Sequence, residues 1–199
     1  DHVPADWREW RVIPESNLAT ATNGRVFTDP AGEFTAFRER LLQFYPEDIR
    51  LKKIARRCMI MAQSGQYNFR RCVRRCEFVA AQCAETEFIN TAVSMVFLLN
   101  KQYKPFYKWM HLGLLQLPLL GSVIYNLCSD LTTAHIVESG KKGYERKNDL
   151  IEEICRHIVG ELKRQELTDS GSDFLLDHGP LVQSRIQDPL IKKMSVWTE

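Results

Sequence analysis

The chain has 199 residues, 44% hydrophobic and 26% charged, a composition that excludes a disordered chain and is typical of one soluble globular domain. Its longest apolar run, residues 92–99, is far too short to span a bilayer. The net charge is only +2, yet residues 46–75 carry +7 against −5 elsewhere, which indicates either an anionic partner or a solvated helix face balanced by acidic neighbours.

The first 32 residues are predicted to be an irregular arm with two aromatic anchors, Trp7 and Trp10. Pro14 suits the first turn of a short helix through Ala21. Residues 25–28 have the composition of a strand, but the chain offers no obvious strand to pair with them. We interpret residues 1–32 as an arm that connects this chain to a missing N-terminal domain.

From Glu33 onward the apolar spacing is helical throughout, which predicts an all-α fold with a helical bundle over residues 33–167. The predicted helices cover residues 33–44, 46–63, 67–100, 106–117, 119–137 and 145–167. Ser64 and Gly65 are expected to stop the second helix, and residues 140–143 are expected to form a loop. Residues 168–199 are predicted to be a polar linker followed by short helices around Pro180 and Pro189.

The predicted helix over residues 67–100 is the longest, at about 50 Å. Its second half is apolar on all sides, so we expect this helix to be the central element of the bundle. Its first half is amphipathic, with an inward face made of Phe69, Cys72, Val73, Cys76 and Cys83. The six cysteines of the chain are best interpreted as small core residues, because they lack the paired spacing of zinc ligands.

Four arginines form two columns near the predicted start of that helix: Arg70 with Arg74, and Arg71 with Arg75. Like charges at this spacing repel by up to about 0.5 kcal/mol per pair, so the cluster indicates an anion that offsets the repulsion. A helix N-terminus also attracts anions, and arginine suits bidentate phosphate contacts. The alternative is a set of salt bridges to Glu77, Glu85, Glu87 or the acidic C-terminal third.

Lys108 lies among aromatic residues, between Tyr107 and Trp109 and shortly after Tyr103. Aromatic rings beside an ammonium group offer a stacking face and a cation for a phosphorylated, ring-bearing ligand. The alternative is a packed helix start with a lysine whose charged end reaches solvent.

Glu87 and Asn90 occur where the long helix becomes apolar, so each should be paired or face a cavity. There they could hold a basic or hydroxylated substrate, or merely bond a neighbouring helix. The five histidines show no metal-binding spacing, and no phosphate-binding glycine loop or nucleophile motif occurs. We therefore predict no catalytic residue and no metal site in this chain.

Three runs in order, YPEDIRLKKIA, QYNFRRC and SMVFLLNKQYKPFYKW, resemble a helical domain of unassigned function in bacterial nucleotidyltransferase-like proteins. The resemblance covers most of residues 7–120. In that family the domain follows a nucleotidyltransferase domain, and the upstream IPE and TNGRVF segments look like the connection between the two. More distantly, the layout is similar to the helical domain of aminoglycoside adenylyltransferases.

This resemblance implies a nucleotide cleft with one wall in this chain. Lys108, which precedes Leu117-Pro118, matches a lysine that approaches the nucleotide phosphates in the adenylyltransferases. The expected nucleotide-binding residues are Tyr67, Asn68, Arg71, Arg75, Tyr107, Lys108 and Trp109. The expected substrate-binding residues are Glu87 and Asn90.

The resemblance further implies that ATP or another nucleoside triphosphate binds with Mg²⁺ through the missing domain, because the metal-binding carboxylates belong there. The chain alone should be inactive. Its expected partners are that nucleotidyltransferase domain and an unknown acceptor, with a possible homodimer, no membrane and a cytoplasmic location. The alternative is a non-enzymatic helical module that binds RNA or a protein through its basic face.

Overall fold

The protein is represented by a computed structural model that describes residues 2–137 and 140–199, and the predicted all-α fold is confirmed because every regular element in these residues is a helix. The α-helices are α1 Trp7–Val12, α2 Glu15–Thr22, α3 Glu33–Leu42, α4 Glu47–Met61, α5 Arg70–Arg74, α6 Phe78–Leu99, α7 Tyr107–Gly113, α8 Gly121–Val137, α9 Gly140–Arg164, α10 His178–Ser184 and α11 Pro189–Lys192. None of the helices in the described residues has the length and apolar character needed to cross a membrane.

Two helices, α4 and α6, pack against each other at the centre of the bundle. All side chains from Thr91 to Leu99 are buried, so the prediction of a central apolar helix is confirmed. α9 contacts α6 and α8 through its buried face, and α10 packs on α4. The face of α9 is the one that the sequence predicts, since Leu150, Ile151, Ile154, Ile158 and Leu162 are all fully buried.

The N-terminal arm is more regular than predicted, because it contains α1 as well as the expected helix α2. The Asp6 carboxylate caps α1 by accepting hydrogen bonds from the backbone N–H groups of Arg8 and Glu9. Trp10 is buried and lies edge-on to the Tyr45 ring, with centroids 5.4 Å apart. The arm is thereby fixed to the start of α4.

The possible strand at residues 25–28 is not formed: these residues have no regular structure. The guanidinium of Arg38 on α3 instead donates to the carbonyl oxygens of Thr22 and Gly24, at 2.6 and 2.8 Å. Residues 25–28 have no neighbouring strand in the described residues, and Arg38 fixes the turn that leads into them.

The second predicted helix does not stop at Ser64 and Gly65, and that prediction is wrong. α4 continues through a π-helical segment, Ala62–Phe69, into α5. Gly65 serves close packing rather than termination: a methyl group at its position would overlap the Phe88 ring of α6. Its backbone is therefore pressed against the central helix.

The predicted helix over residues 67–100 is broken, because Cys76 has φ +58 and separates α5 from α6. α6 has 22 residues, or about 33 Å rather than about 50 Å. Cys58, Cys128 and Cys155 are buried as core residues, as expected. Cys76 and Cys83 are exposed instead of inward, because the break ends the amphipathic face on which they were placed.

The predicted loop at residues 140–143 is also wrong, because α9 begins at Gly140. The C-terminal part agrees better with its prediction: residues 168–173 have no helix, and α10 and α11 follow. His178 is fully buried and connects α10 to the preceding linker. Its Nδ1 lies 3.0 Å from the Thr168 hydroxyl and its Nε2 lies 2.9 Å from the Ser172 carbonyl oxygen.

Candidate functional site

The four arginines lie at the C-terminal end of a helix, not near an N-terminus as predicted, because α4 runs on into α5. A helix C-terminus favours cations by about 0.3–1 kcal/mol, so the cluster has a structural reason to be there. Among the described residues, no carboxylate forms an ion pair with Arg70, Arg71, Arg74 or Arg75. The salt bridges of the alternative interpretation, to Glu77, Glu85, Glu87 or the acidic C-terminal third, are therefore not found there.

The side chains near this helix end are only partly covered. The Arg71 guanidinium lies over the Tyr67 ring, 4.5 Å from its centroid, while Arg75 is exposed and Asn68 half-buried. A cavity of about 520 Å³ separates α5 from the start of α9, and charges of both signs line it. They belong to Arg70, Arg74, Lys141, Glu145 and Asp149.

A second cavity, which we call the α6 groove, has a volume of about 510 Å³ and lies along α6. It brings together three predicted residues, Glu87, Asn90 and Tyr107. Asn90 is exposed and its Oδ1 accepts a hydrogen bond of 2.6 Å from the Lys104 ammonium. At the base of the groove, Lys147 donates to both carboxylate oxygens of Glu85 at 2.7 and 2.6 Å, and both side chains are buried.

The third cavity, which we call the aromatic cleft, is the largest of the three at about 910 Å³. It lies between the end of α2 and α7. Its floor contains buried rings and its rim contains exposed ones, from Phe44, Phe97, Tyr103, Phe106 and Trp109. Thr20, Asn23, Lys101, Gln102 and Gln116 supply polar groups.

The predicted nucleotide-binding residues do not converge on one cavity. Trp109 lines the aromatic cleft and Tyr107 lines the α6 groove, whereas Tyr67 and Arg71 line none of the three cavities. Lys108 is exposed in the first turn of α7 and lines none of the three cavities. Helix periodicity explains this result, because consecutive residues of a helix face different directions.

Lys101 is a cleft residue that sequence reasoning missed. It follows the end of α6 with φ +52, a left-handed conformation in which glycine is usual. Asn100 holds the turn, because its Nδ2 donates to the Val96 and Leu119 carbonyl oxygens at 2.8 and 2.9 Å. The apolar run before an Asn-Lys pair signals a helix end, but it does not reveal which cavity the lysine lines.

A second feature that sequence reasoning missed is the burial of much of the basic block. Four cationic side chains of α4 are buried in the bundle, namely Arg50, Lys52, Lys53 and Arg57. Burial lowers the pKa of Lys53 to about 8, and the nearby Arg57 charge contributes in the same direction. The basic block is therefore divided between an interior part on α4 and an exposed part on α5.

Arg57 connects α4 to both α2 and α6. Its Nε donates to the Ser94 hydroxyl at 3.1 Å, and that hydroxyl donates to the Glu15 carboxylate at 3.3 Å. Glu15 lies 3.8 Å from the Arg57 guanidinium, and its second oxygen is buried without a hydrogen bond among the described residues. The pKa of Arg57 is lowered by burial, which the Glu15 charge opposes.

In the parts of the chain that the structure describes, no three Cys, His, Asp or Glu side chains are placed to hold a metal ion. Residues 10–110, just over half of the chain, match the profile of a family described as Domain of unknown function (DUF4037). No curated protein and no solved structure matches the chain. The matched span includes α2 to α6 and the aromatic cleft up to Trp109.

Proposed function

The chain belongs to the DUF4037 family, and from that premise we propose that it is the helical ligand-binding part of a nucleotidyltransferase-like protein. The metal-binding carboxylates of such a protein lie in a separate nucleotidyltransferase domain, where ATP or another nucleoside triphosphate binds with Mg²⁺. The observation that supports the proposal is the aromatic cleft, which combines exposed rings with a lysine. A bacterial cytoplasmic location and an unidentified acceptor belong to the same proposal.

Trp109 and Phe106 are exposed by 61% and 54% at the rim of the cleft. Large rings in that position are available for a planar ligand, and base–aromatic stacking contributes about 1–3 kcal/mol per base. A cavity of this size, with rings and a few polar groups, has the character of a small-molecule site. We assign the nucleobase, or a ring of the acceptor, to this rim.

Lys101 is the proposed phosphate contact of the cleft. Its left-handed backbone is a conformation that costs energy for a residue with a side chain, and such conformations occur often at functional sites. This chain has a lysine at a position where glycine would be more stable, which supports a role for the ammonium group. Lys108, the lysine that the family resemblance implies, is the alternative candidate for the phosphate contact.

Replacing the rim tryptophan should weaken nucleotide binding. We expect Trp109→Ala to lower the affinity of the two-domain protein for MgATP by about tenfold, because a stacking contact of about 1–3 kcal/mol is lost. Isothermal titration calorimetry measures the affinity of both proteins for MgATP. The matched control is Phe27→Ala, which removes a ring that is 93% exposed outside the cleft and should leave affinity unchanged. Equal effects of the two substitutions would refute the assignment.

The lysine assignment is tested by Lys101→Gly and Lys108→Ala in the same titration. Lys101→Gly removes the ammonium group but relieves the left-handed backbone, so it should weaken binding while stability stays constant or rises. If Lys108→Ala weakens binding and Lys101→Gly does not, the phosphates lie outside the aromatic cleft.

The arginines at the end of α5, of which Arg70, Arg74 and Arg75 are exposed, support the second candidate, a helical module that binds RNA through its basic face. They have no ion-pair partner among the described residues, so they are available for phosphate contacts. This function predicts RNA binding that weakens steeply with salt and weakens further in Arg75→Ala. RNA binding that is unaffected by Arg75→Ala would exclude this face.

A further inference from the structure

One carboxylate, that of Glu199, is held by three cations of α4. Its oxygens lie 2.9 Å from the Lys53 ammonium and 3.2 Å from the Arg56 guanidinium, and they also contact the Arg57 guanidinium. Arg11 of α1 donates to the backbone oxygen of the same residue. Lys53 and Arg57 are buried, while the Glu199 side chain is 23% exposed, so the carboxylate lies at the solvent end of the cluster.

Positive charge exceeds negative charge in this cluster. Within the described residues, the side-chain cations of Arg11, Lys53, Arg56 and Arg57 face the side-chain carboxylates of Glu15 and Glu199, an excess of two positive side-chain charges. Lys53 and Arg57, the two buried cations, each lie beside one of these carboxylates, so the excess charge belongs to Arg11 and Arg56, which are partly exposed and open to an anion from solvent. A dianion in place of the Glu199 carboxylate would leave one uncompensated charge instead of two.

The segment that carries Glu199 is also attached through cations of the same helix. Lys52 donates to the Ser195 carbonyl oxygen at 2.5 Å and Arg56 to that of Trp197 at 3.0 Å. Residues 195–199 form no helix, and Trp197 is 41% exposed. Val196 packs against the core, whereas the Glu199 side chain lies at the solvent end of the cluster, so displacement requires only that side chain to move.

The cations of this cluster all lie in the span that the family profile matches, whereas Glu199 lies outside that span. We propose that Arg11, Lys53, Arg56 and Arg57 form a binding site for a phosphate group, which the Glu199 side chain occupies until a ligand displaces it. Guanidinium groups bind phosphate through paired hydrogen bonds, and a phosphate has more oxygens than the carboxylate to accept them. None of these residues lines the aromatic cleft, so the site does not depend on the proposed nucleotide function.

Glu199→Gln tests the site by removing the competing charge. We expect this variant to bind inorganic phosphate about tenfold more tightly than the wild type. This factor applies if the Glu199 side chain leaves the site free in about one-tenth of the wild-type molecules. Isothermal titration at constant ionic strength, with chloride as the balancing anion, measures the difference. A parallel titration with glycerol phosphate distinguishes free phosphate from a phosphate ester as the ligand, and tighter binding of either supports the site.

Two further variants keep the test decisive. Glu39→Gln removes an exposed carboxylate of α3 and should leave phosphate affinity unchanged. Arg56→Gln removes a cation whose side chain is 34% exposed, so the fold should tolerate it, and it should abolish the gain of Glu199→Gln. The proposal is overturned if Glu199→Gln binds neither phosphate nor glycerol phosphate more tightly than wild type, or if the gain persists without Arg56.

Discussion

Lys147→Met should lower the free energy of unfolding by about 3–5 kcal/mol, because it leaves the Glu85 carboxylate buried without its only ammonium partner among the described residues. Lys147 and Glu85 are 3% and 4% exposed, so water from the α6 groove reaches the Glu85 carboxylate poorly once the ammonium group is removed. The pair joins α9 to α6, and its loss removes both hydrogen bonds between them at that point. Urea denaturation followed by circular dichroism measures the change.

The size of this effect depends on the unpaired charge rather than on the contact itself. The double variant Glu85→Leu/Lys147→Met should therefore recover most of the lost stability, since replacing a whole buried pair by apolar residues is often neutral or stabilising. Lys141→Met is the matched control, because that lysine lies on the same helix with its side chain 89% exposed. A double variant as unstable as the single one would contradict this explanation.

Phe88→Ala should also cost about 3–5 kcal/mol, because it opens a cavity beneath the π-helical segment. Gly65→Ala should cost about 1–3 kcal/mol for the opposite reason, overpacking. Its new methyl group would overlap the Phe88 ring and lie 2.9 Å from Ile151 Cγ2. Both variants are measured by the same denaturation method.

A double-mutant cycle separates this packing from an effect of glycine on the helix backbone. In the Phe88→Ala background the substitution Gly65→Ala should lose most of its cost, because the ring that it meets is gone. Gly160→Ala is the matched control, since an added methyl group at that position of α9 meets nothing within 4 Å. Additive costs at residues 65 and 88 would show that glycine is needed there for another reason.

The helix content and the central helix could be predicted because they depend on local patterns. Residues 92–99 are apolar on all sides, and α9 has a regular apolar stripe. The buried face of each helix can therefore be inferred from its own sequence. The breaks could not be predicted in the same way. Gly65 is a helix-stopping signal that packing against Phe88 overrides, and Cys76 adopts a positive φ without any local sign of it.

The candidate sites depend on contacts between distant parts of the chain, which explains why prediction was less successful there. Glu87, Asn90 and Tyr107 do line one groove, whereas Lys108 lines none of the three cavities described above. The charged run of α4 is visible in the sequence, but the carboxylates that neutralise its buried Lys53 and Arg57, those of Glu15 and Glu199, lie far away along the chain. Such long-range partners leave no signal in local spacing.

Photolabelling with 8-azido-ATP tests the central proposal, that the aromatic cleft holds a nucleotide, most directly. The two-domain protein is irradiated with the probe in the presence and absence of excess MgATP, and the labelled peptides are identified by mass spectrometry. The proposal predicts label that MgATP prevents, located at the cleft in residues 101–116 or 19–23. Label confined to the arginines of α5, or label that MgATP does not prevent, would contradict it.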